Sequence, residues 1–183
     1  FIFKDRGYST KFIYGGYGYF DNMNYFFANN GFDIVDRTNM PKNEVEFGNV
    51  WGVSDEDLFR TVLKEADKDY AAKKPFMQAV MTTSNHRPYT YPEGRIDIPS
   101  KQGRLGGVKY ADYAVGELIQ QAQTKPWFRD TLFIFVADHQ AGSSGKVAVD
   151  PAKYLIPAMI YAPAHIKPQK VGQLASQIDL MPT

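Results

Sequence analysis

Apolar runs of strand length alternate with stretches of helical periodicity along this chain, and each run stops abruptly at a polar or glycine cluster. Leu132-Phe133-Ile134-Phe135-Val136-Ala137 is the most apolar run and ends at Asp138-His139-Gln140. Its unbroken apolar character predicts a central strand buried on both faces. Pro75 to Thr82 is a second such run, closed by Thr83-Ser84-Asn85-His86-Arg87. Phe12-Ile13-Tyr14 stops at Gly15-Gly16, and Phe32 to Val35 reads as a further short strand. Tyr154 to Tyr161 is interrupted by Pro157, which suits an edge strand or a bulge rather than a central ladder. The alternation predicts an α/β fold with a mainly parallel sheet flanked by helices.

The helices carry their own signals. Ser54 is a good N-cap, Asp57 stands three residues later, and Val53 with Leu58 can form a hydrophobic staple. Leu58, Phe59, Val62, Leu63 and Ala66 then recur at helical spacing. Ala111, Ala114, Val115, Leu118 and Ala122 mark another amphipathic helix, closed by Pro126. Asp21 is the expected cap of a shorter helix with Met23, Phe26 and Phe27 on one face and Gly31 just past its end. Pro88 to Gly106 reads as a long loop, and Ser176 to Leu180 as the approach to another helix.

Composition narrows the function. The chain has 183 residues and a formal net charge of +1, which excludes nucleic-acid binding through bulk positive charge. It has no cysteine, so disulfides, zinc thiolate sites and a cysteine nucleophile are excluded. No apolar run reaches the ~20 residues that span a bilayer. The chain opens on Phe1-Ile2-Phe3 and closes on Asp179-Leu180-Met181-Pro182-Thr183, which predicts a domain incomplete at both ends.

The chemistry-bearing residues fall at strand ends. The three histidines, His86, His139 and His165, each follow an apolar run, and ligands of open parallel sheets bind outside the carboxyl ends of strands. Asp138 and His139 join a hard carboxylate oxygen to an imidazole nitrogen, a donor pair suited to Zn²⁺ or Mn²⁺. The small residues Gly142, Ser143, Ser144 and Gly145 follow them. The loop around His86 packs many donors together. They suit a phosphate or sulfate, or equally a self-satisfied turn built on Ser84 and Asn85. Gly15-Gly16-Tyr17-Gly18 lacks the lysine of a Walker loop and reads as a tight turn.

Six segments in order, YGGYGYFDNMNYFFANNGFD, WGVSDEDLF, TTSNHRPYTYP, VKYADYAVGELI, TLFIFVADHQ and SQIDLMPT, carry a resemblance. Together they resemble the catalytic domain of the alkaline-phosphatase/sulfatase superfamily, in particular lipoteichoic acid synthase-like phosphoglycerol transferases. The resemblance implies that residues 1–183 are the C-terminal part of that domain. It implies metal-dependent transfer of a phosphoglycerol group to an envelope polymer through a covalent threonine intermediate, with the threonine and a further acidic ligand lying N-terminal to the matched region. It makes Asp138 and His139 metal ligands, of Mn²⁺ in first place and otherwise Zn²⁺, Mg²⁺ or Ca²⁺, and His86 a contact to a phosphoglycerol lipid or related anionic ester. It further implies a membrane-anchored parent, held by segments outside this chain, with a periplasmic or extracellular catalytic domain. Where lipoteichoic acid synthases place a Trp and an Arg near Phe20, Asp21 and Met23 stand here. A different head group or acceptor is therefore expected, periplasmic glucan among them. A sulfatase, a phosphodiesterase, a phosphoethanolamine transferase and a degenerate binding domain remain as alternatives, and the 183 residues alone are expected to be inactive.

Overall fold

The computed structural model describes residues 2–140, 142 and 154–180, which divide into two units, Phe1–Lys125 and Pro126–Thr183. The first unit is built on a three-stranded parallel sheet in the order β2-β1-β3, with β1 at Ser9–Tyr14, β2 at Asp33–Val35 and β3 at Phe76–Met81. Ser9 stands opposite Phe76 and Tyr14 opposite Met81, while Lys11 to Ile13 pair with Asp33 to Val35. As the middle strand, β1 is the most buried of the three.

Alternation along β1 sends its side chains to two different layers. Thr10 donates to the Gly31 carbonyl at 2.8 Å, and Phe12 stacks on Phe27 with ring centroids 3.7 Å apart. That face is covered by α2, Met23–Asn29. Lys11 and Ile13 point the other way, toward α3, Asp55–Ala71. Ile13 joins Val53, Leu58 and Met40 in the core, and Lys11 Nζ meets Asp69 at 2.7 Å and Glu65 at 3.0 Å. Burial works against the lysine charge, and the two carboxylates outweigh it, holding its pKa above the ordinary value.

Helix α3 starts where its cap is expected. Ser54 Oγ accepts from the Asp57 amide at 3.2 Å and donates to the Asp57 carboxylate at 2.7 Å, and Val53 and Leu58 are both buried. The second long helix, α4 at Arg104–Ala122, packs on α3 and begins a full two turns before Ala111. The long loop before it is ordered by Tyr91, which is fully buried and stacked on Tyr110 with centroids 4.8 Å apart. A short helix, α1 at Ile2–Asp5, precedes β1.

Two expectations at α2 are corrected. Asp21 does not cap it: Asn22 holds the cap position with no side-chain bond, and both residues have left-handed backbone, φ 49° and 55°. Phe26 does not join the buried face, because Phe27 alone meets Phe12 and Phe26 is turned to solvent. Gly31 does follow the helix, with φ 87°.

In the second unit, β4 at Phe133–Val136 pairs antiparallel with β5 at Ala158–Tyr161. Pro157 stands just ahead of β5, where its missing N–H costs no ladder bond. The expected burial of β4 on both faces is not met within this unit: β5 is its one described neighbour, and Ile134 and Val136 are each 38% exposed. Gln177–Asp179 forms a single 3-10 turn after Ser176. Among the described residues no helix is long and apolar enough to cross a membrane.

Candidate substrate and metal site

Three loops meet beyond the carboxyl ends of β1 and β3. The first, from Gly15, is drawn against the second by backbone contact: Val53 N donates to Gly15 O at 2.9 Å. A Cβ on Gly52 would sit 2.6 Å from the Gly15 carbonyl, and one on Gly16 would sit 2.3 Å from the Trp51 carbonyl. Glycine is required at both for this close approach. Asp36 ties down the far end of the first loop, accepting from Gly18 N at 3.0 Å and from Asn24 Nδ2 at 2.9 Å. Burial raises the pKa of Asp36, but its hydrogen bonds from Thr38, Asn24 and Gly18 prevail and hold the carboxyl below its usual range.

The third loop hangs on Asp55. Its Oδ1 accepts from the Ser84 amide at 3.0 Å and the Thr83 amide at 3.2 Å, while Ser84 Oγ accepts from Asp55 N at 3.0 Å. Thr83 Oγ1 donates to Val53 O at 3.0 Å. Thr83 and Ser84 are thus buried and bonded to Asp55 and Val53, not to their own turn as the self-satisfied reading expects. Asp55 is 1% exposed and its Oδ2 has no hydrogen-bond partner among the described residues; burial pushes the carboxyl up, against the bonds from Ser84 and Thr83.

His86 rises from this frame into solvent. Its ring lies 4.0 Å from the Trp51 ring, and Phe20 also meets Trp51, edge-on at 5.6 Å. His86 Nδ1 stands 2.9 Å from the Arg87 carbonyl. A carbonyl can only accept, so Nδ1 carries the hydrogen and Nε2 is left to a ligand. Trp51 is held in turn by Asn49, whose Oδ1 accepts from the Trp51 amide at 2.8 Å and whose Nδ2 donates to Thr90 at 2.8 Å. Sequence reading placed Trp51 within a matched segment but gave it no role, since nothing in a short irregular loop announces a ring stack.

Asp138 and His139 belong to the second unit and follow β4 directly. Asp138 Oδ1 accepts from His139 N at 2.8 Å, and Asp138 Oδ2 lies 3.4 Å from His139 Nε2. His139 Nδ1 faces the Gln140 carbonyl at 2.6 Å, which again puts the hydrogen on Nδ1 and leaves the Nε2 lone pair free. Two donor atoms ~3.4 Å apart are spaced as neighbouring ligands of one tetrahedral ion at ~2.1 Å from each. The pair therefore fits a divalent cation, although no group of three or more ligating side chains occurs among the described residues. Of the small residues expected beside it, Gly142 is described and Ser143, Ser144 and Gly145 lie outside the described residues. His165 is committed elsewhere: its Nε2 lies 2.9 Å from the Arg129 carbonyl and 3.7 Å from Asp130.

The Sulfatase family model matches residues 2–183. The phosphoglycerol transferase I of Xanthomonas campestris pv. campestris (strain B100) is 26% identical over 151 residues, covering 75% of this chain and 21% of that protein. The phosphoglycerol transferase I of Salmonella paratyphi B is 28% identical over 153 residues, covering 76% of this chain and 20% of that protein. The crystal structure of a protein in the alkaline phosphatase superfamily from Vibrio parahaemolyticus superposes with a TM-score of 0.92 at 42% identity, over 100% of this chain and 45% of that one. The lipoteichoic acid synthase LtaP of Listeria monocytogenes shares the fold, with a TM-score of 0.72 at 24% identity over 87% of this chain and 44% of that one. The chain thus spans about a fifth of the length of the curated relatives it matches. With strand-end loops of this design and a family match over nearly its whole length, the chain belongs to the Sulfatase family.

Proposed function

We propose that this chain is the C-terminal part of a catalytic domain that transfers a phosphoglycerol-type group from an anionic lipid to an envelope polymer. The observation that carries the reading is His86, fixed by Trp51 and the Arg87 carbonyl with Nε2 presented beyond the sheet, in a family whose matched relatives are phosphoglycerol transferases. In the neutral form Nε2 accepts from a glycerol hydroxyl; as imidazolium it donates to a phosphate oxygen. Asp138 and His139 hold a divalent metal, Mn²⁺ in first place. An ion held there would neutralise charge on the phosphoryl oxygens and lower the pKa of a coordinated hydroxyl. The threonine nucleophile lies outside this chain: its oxygen takes the phosphoglycerol group as the lipid alkoxide leaves with a proton, and an acceptor hydroxyl then displaces the threonine. A membrane anchor elsewhere in the parent and a catalytic domain outside the cytoplasm complete the reading.

Product analysis on the full-length protein tests it. With a phosphatidylglycerol donor and a polyol acceptor, the expected product is the phosphoglycerol-substituted polyol, and His86→Ala raises KM for the donor. Release of free glycerol phosphate irrespective of acceptor makes the protein a hydrolase. No turnover of phosphoglycerol, sulfate or phosphoethanolamine esters makes it a binding domain.

A further inference from the structure

Strand β4 ends at Val136, and the next two peptide groups leave its ladder. Their carbonyls are taken up from 40 residues along the chain: Gln177 Nε2 donates to Ala137 O at 2.7 Å and to Asp138 O at 3.3 Å. These carbonyls belong to the peptide planes on either side of the Asp138 Cα. Each residue has two soft backbone torsions, one toward each plane. A single amide that grips both planes therefore fixes both torsions of Asp138, and with them the direction of its Cα–Cβ bond. The second plane reaches further, since its N–H is that of His139, which donates to Asp138 Oδ1 at 2.8 Å. Gln177 thus holds one edge of a peptide plane whose other edge holds the carboxylate.

Packing within this unit does not do this work. The side chains of Asp138 and His139 are 68% and 73% exposed, so hydrogen bonds rather than neighbours set their directions. His139 takes its ring orientation from the Gln140 carbonyl, and Gln140 is anchored by its own side-chain amide on Leu155 O. Gln177 plays the matching part for Asp138. It projects from a turn that closes without its side chain: Ser176 N donates to Asp179 Oδ2 at 2.9 Å, and Asp179 N to Ser176 O at 2.9 Å. Gln177 is itself exposed, so its side chain is not a core packing element.

We propose that Gln177 is a positioning residue for the Asp138–His139 pair. Its amide sets the Asp138 backbone so that Oδ2 stays 3.4 Å from His139 Nε2, the spacing at which both reach one divalent cation. The inference rests on the metal reading above. Groups that orient metal ligands without touching the ion govern affinity by about 10- to 100-fold, because the ligand atoms are then held ready rather than ordered on binding.

The test is calorimetric titration of the metal-free full-length protein with MnCl2, read beside the visible absorption of the Co²⁺-loaded protein and the melting temperature of the metal-free form. The variants are Gln177→Ala and Gln177→Met; the second keeps the length of the side chain and cannot donate. Both are expected to weaken Mn²⁺ binding about tenfold or more, to shift the Co²⁺ bands, and to leave the metal-free melting temperature unchanged. Gln177→Met serves if the alanine variant does not fold. Weakening in which the Co²⁺ bands stay in place and the metal-free melting temperature falls overturns the proposal, since Gln177 then acts on the fold alone. If the parent binds Mn²⁺ and the variants bind it equally well, the inference fails and the metal reading stands. If the parent itself takes up no Mn²⁺, the metal reading fails and the inference falls with it.

Discussion

Trp51 meets two side chains that arrive on different loops, Phe20 from the end of β1 and His86 from the end of β3. An aromatic contact of this kind supplies up to about 1.5 kcal/mol. Trp51→Ala should therefore raise KM for the phosphoglycerol donor about tenfold, with Trp51→Phe restoring most of it. A KM unmoved by Trp51→Ala in a folded protein contradicts the role given to this stack. Asp55 offers a second test at the same scale. Asn in its place still accepts from Thr83 and Ser84 and carries no charge, whereas Ala leaves both amides without an acceptor. Asp55→Ala should cost about 3 kcal/mol in urea denaturation and Asp55→Asn less than about 1 kcal/mol. Equal losses in the two variants would show that the hydrogen bonds are not what the carboxylate contributes. His86, Asp138 and His139 were legible as candidates because short polar clusters end apolar runs. Trp51 was not, since its role comes from three loops meeting in space.

Helix α3 and strand β1 are joined by a buried charge cluster, Lys11 with Asp69 and Glu65, and Glu65 also takes Lys68. Burial raises the Glu65 pKa, but the bonds from Lys68 and Lys11 overcome it and leave it lowered. The two shifts give opposite pH windows. The Glu65 contribution is present above its unfolded value of 4.5 and is lost as pH falls through the depressed folded value. The Lys11 contribution is complete below its unfolded value of 10.5 and is lost as pH rises through the raised folded value. Lys11→Met should cost about 3 kcal/mol near pH 7, because two carboxylates lose their shared partner, and should flatten the decline below pH ~4.5. An unchanged acid profile in the variant would place the pH sensitivity elsewhere. The helices show how local signals become legible. The Ser54 cap fixes the start of α3 because the cap bond is formed by neighbours in sequence. The start of α4 was missed because Gly103, with φ 97°, offers no side-chain cap. Strand β4 reads as central because burial demand is written in its composition, while the neighbours that meet such demand are not.

At the level of the whole molecule, the sheet order β2-β1-β3 brings the loops after β1 and β3 side by side, which accounts for the His86 frame. The Asp138–His139 pair repeats the principle in the second unit, where a strand ends and two ligating atoms follow at a spacing that fits one ion. The family, the α/β class and a parallel sheet like that of the first unit were readable from sequence, because alternating runs and ordered motifs depend on chain order alone. The left-handed turn at Asp21 and Asn22 was not readable, since neither residue demands positive φ. The most direct measurement of the central claim is elemental analysis of the full-length protein beside its His139→Ala variant. One Mn²⁺ or Zn²⁺ per chain in the parent, lost in a folded variant, is the predicted result. Metal content that is equal in the two, or absent from both while they are folded, contradicts the assignment of Asp138 and His139 and with it the metal-dependent transfer.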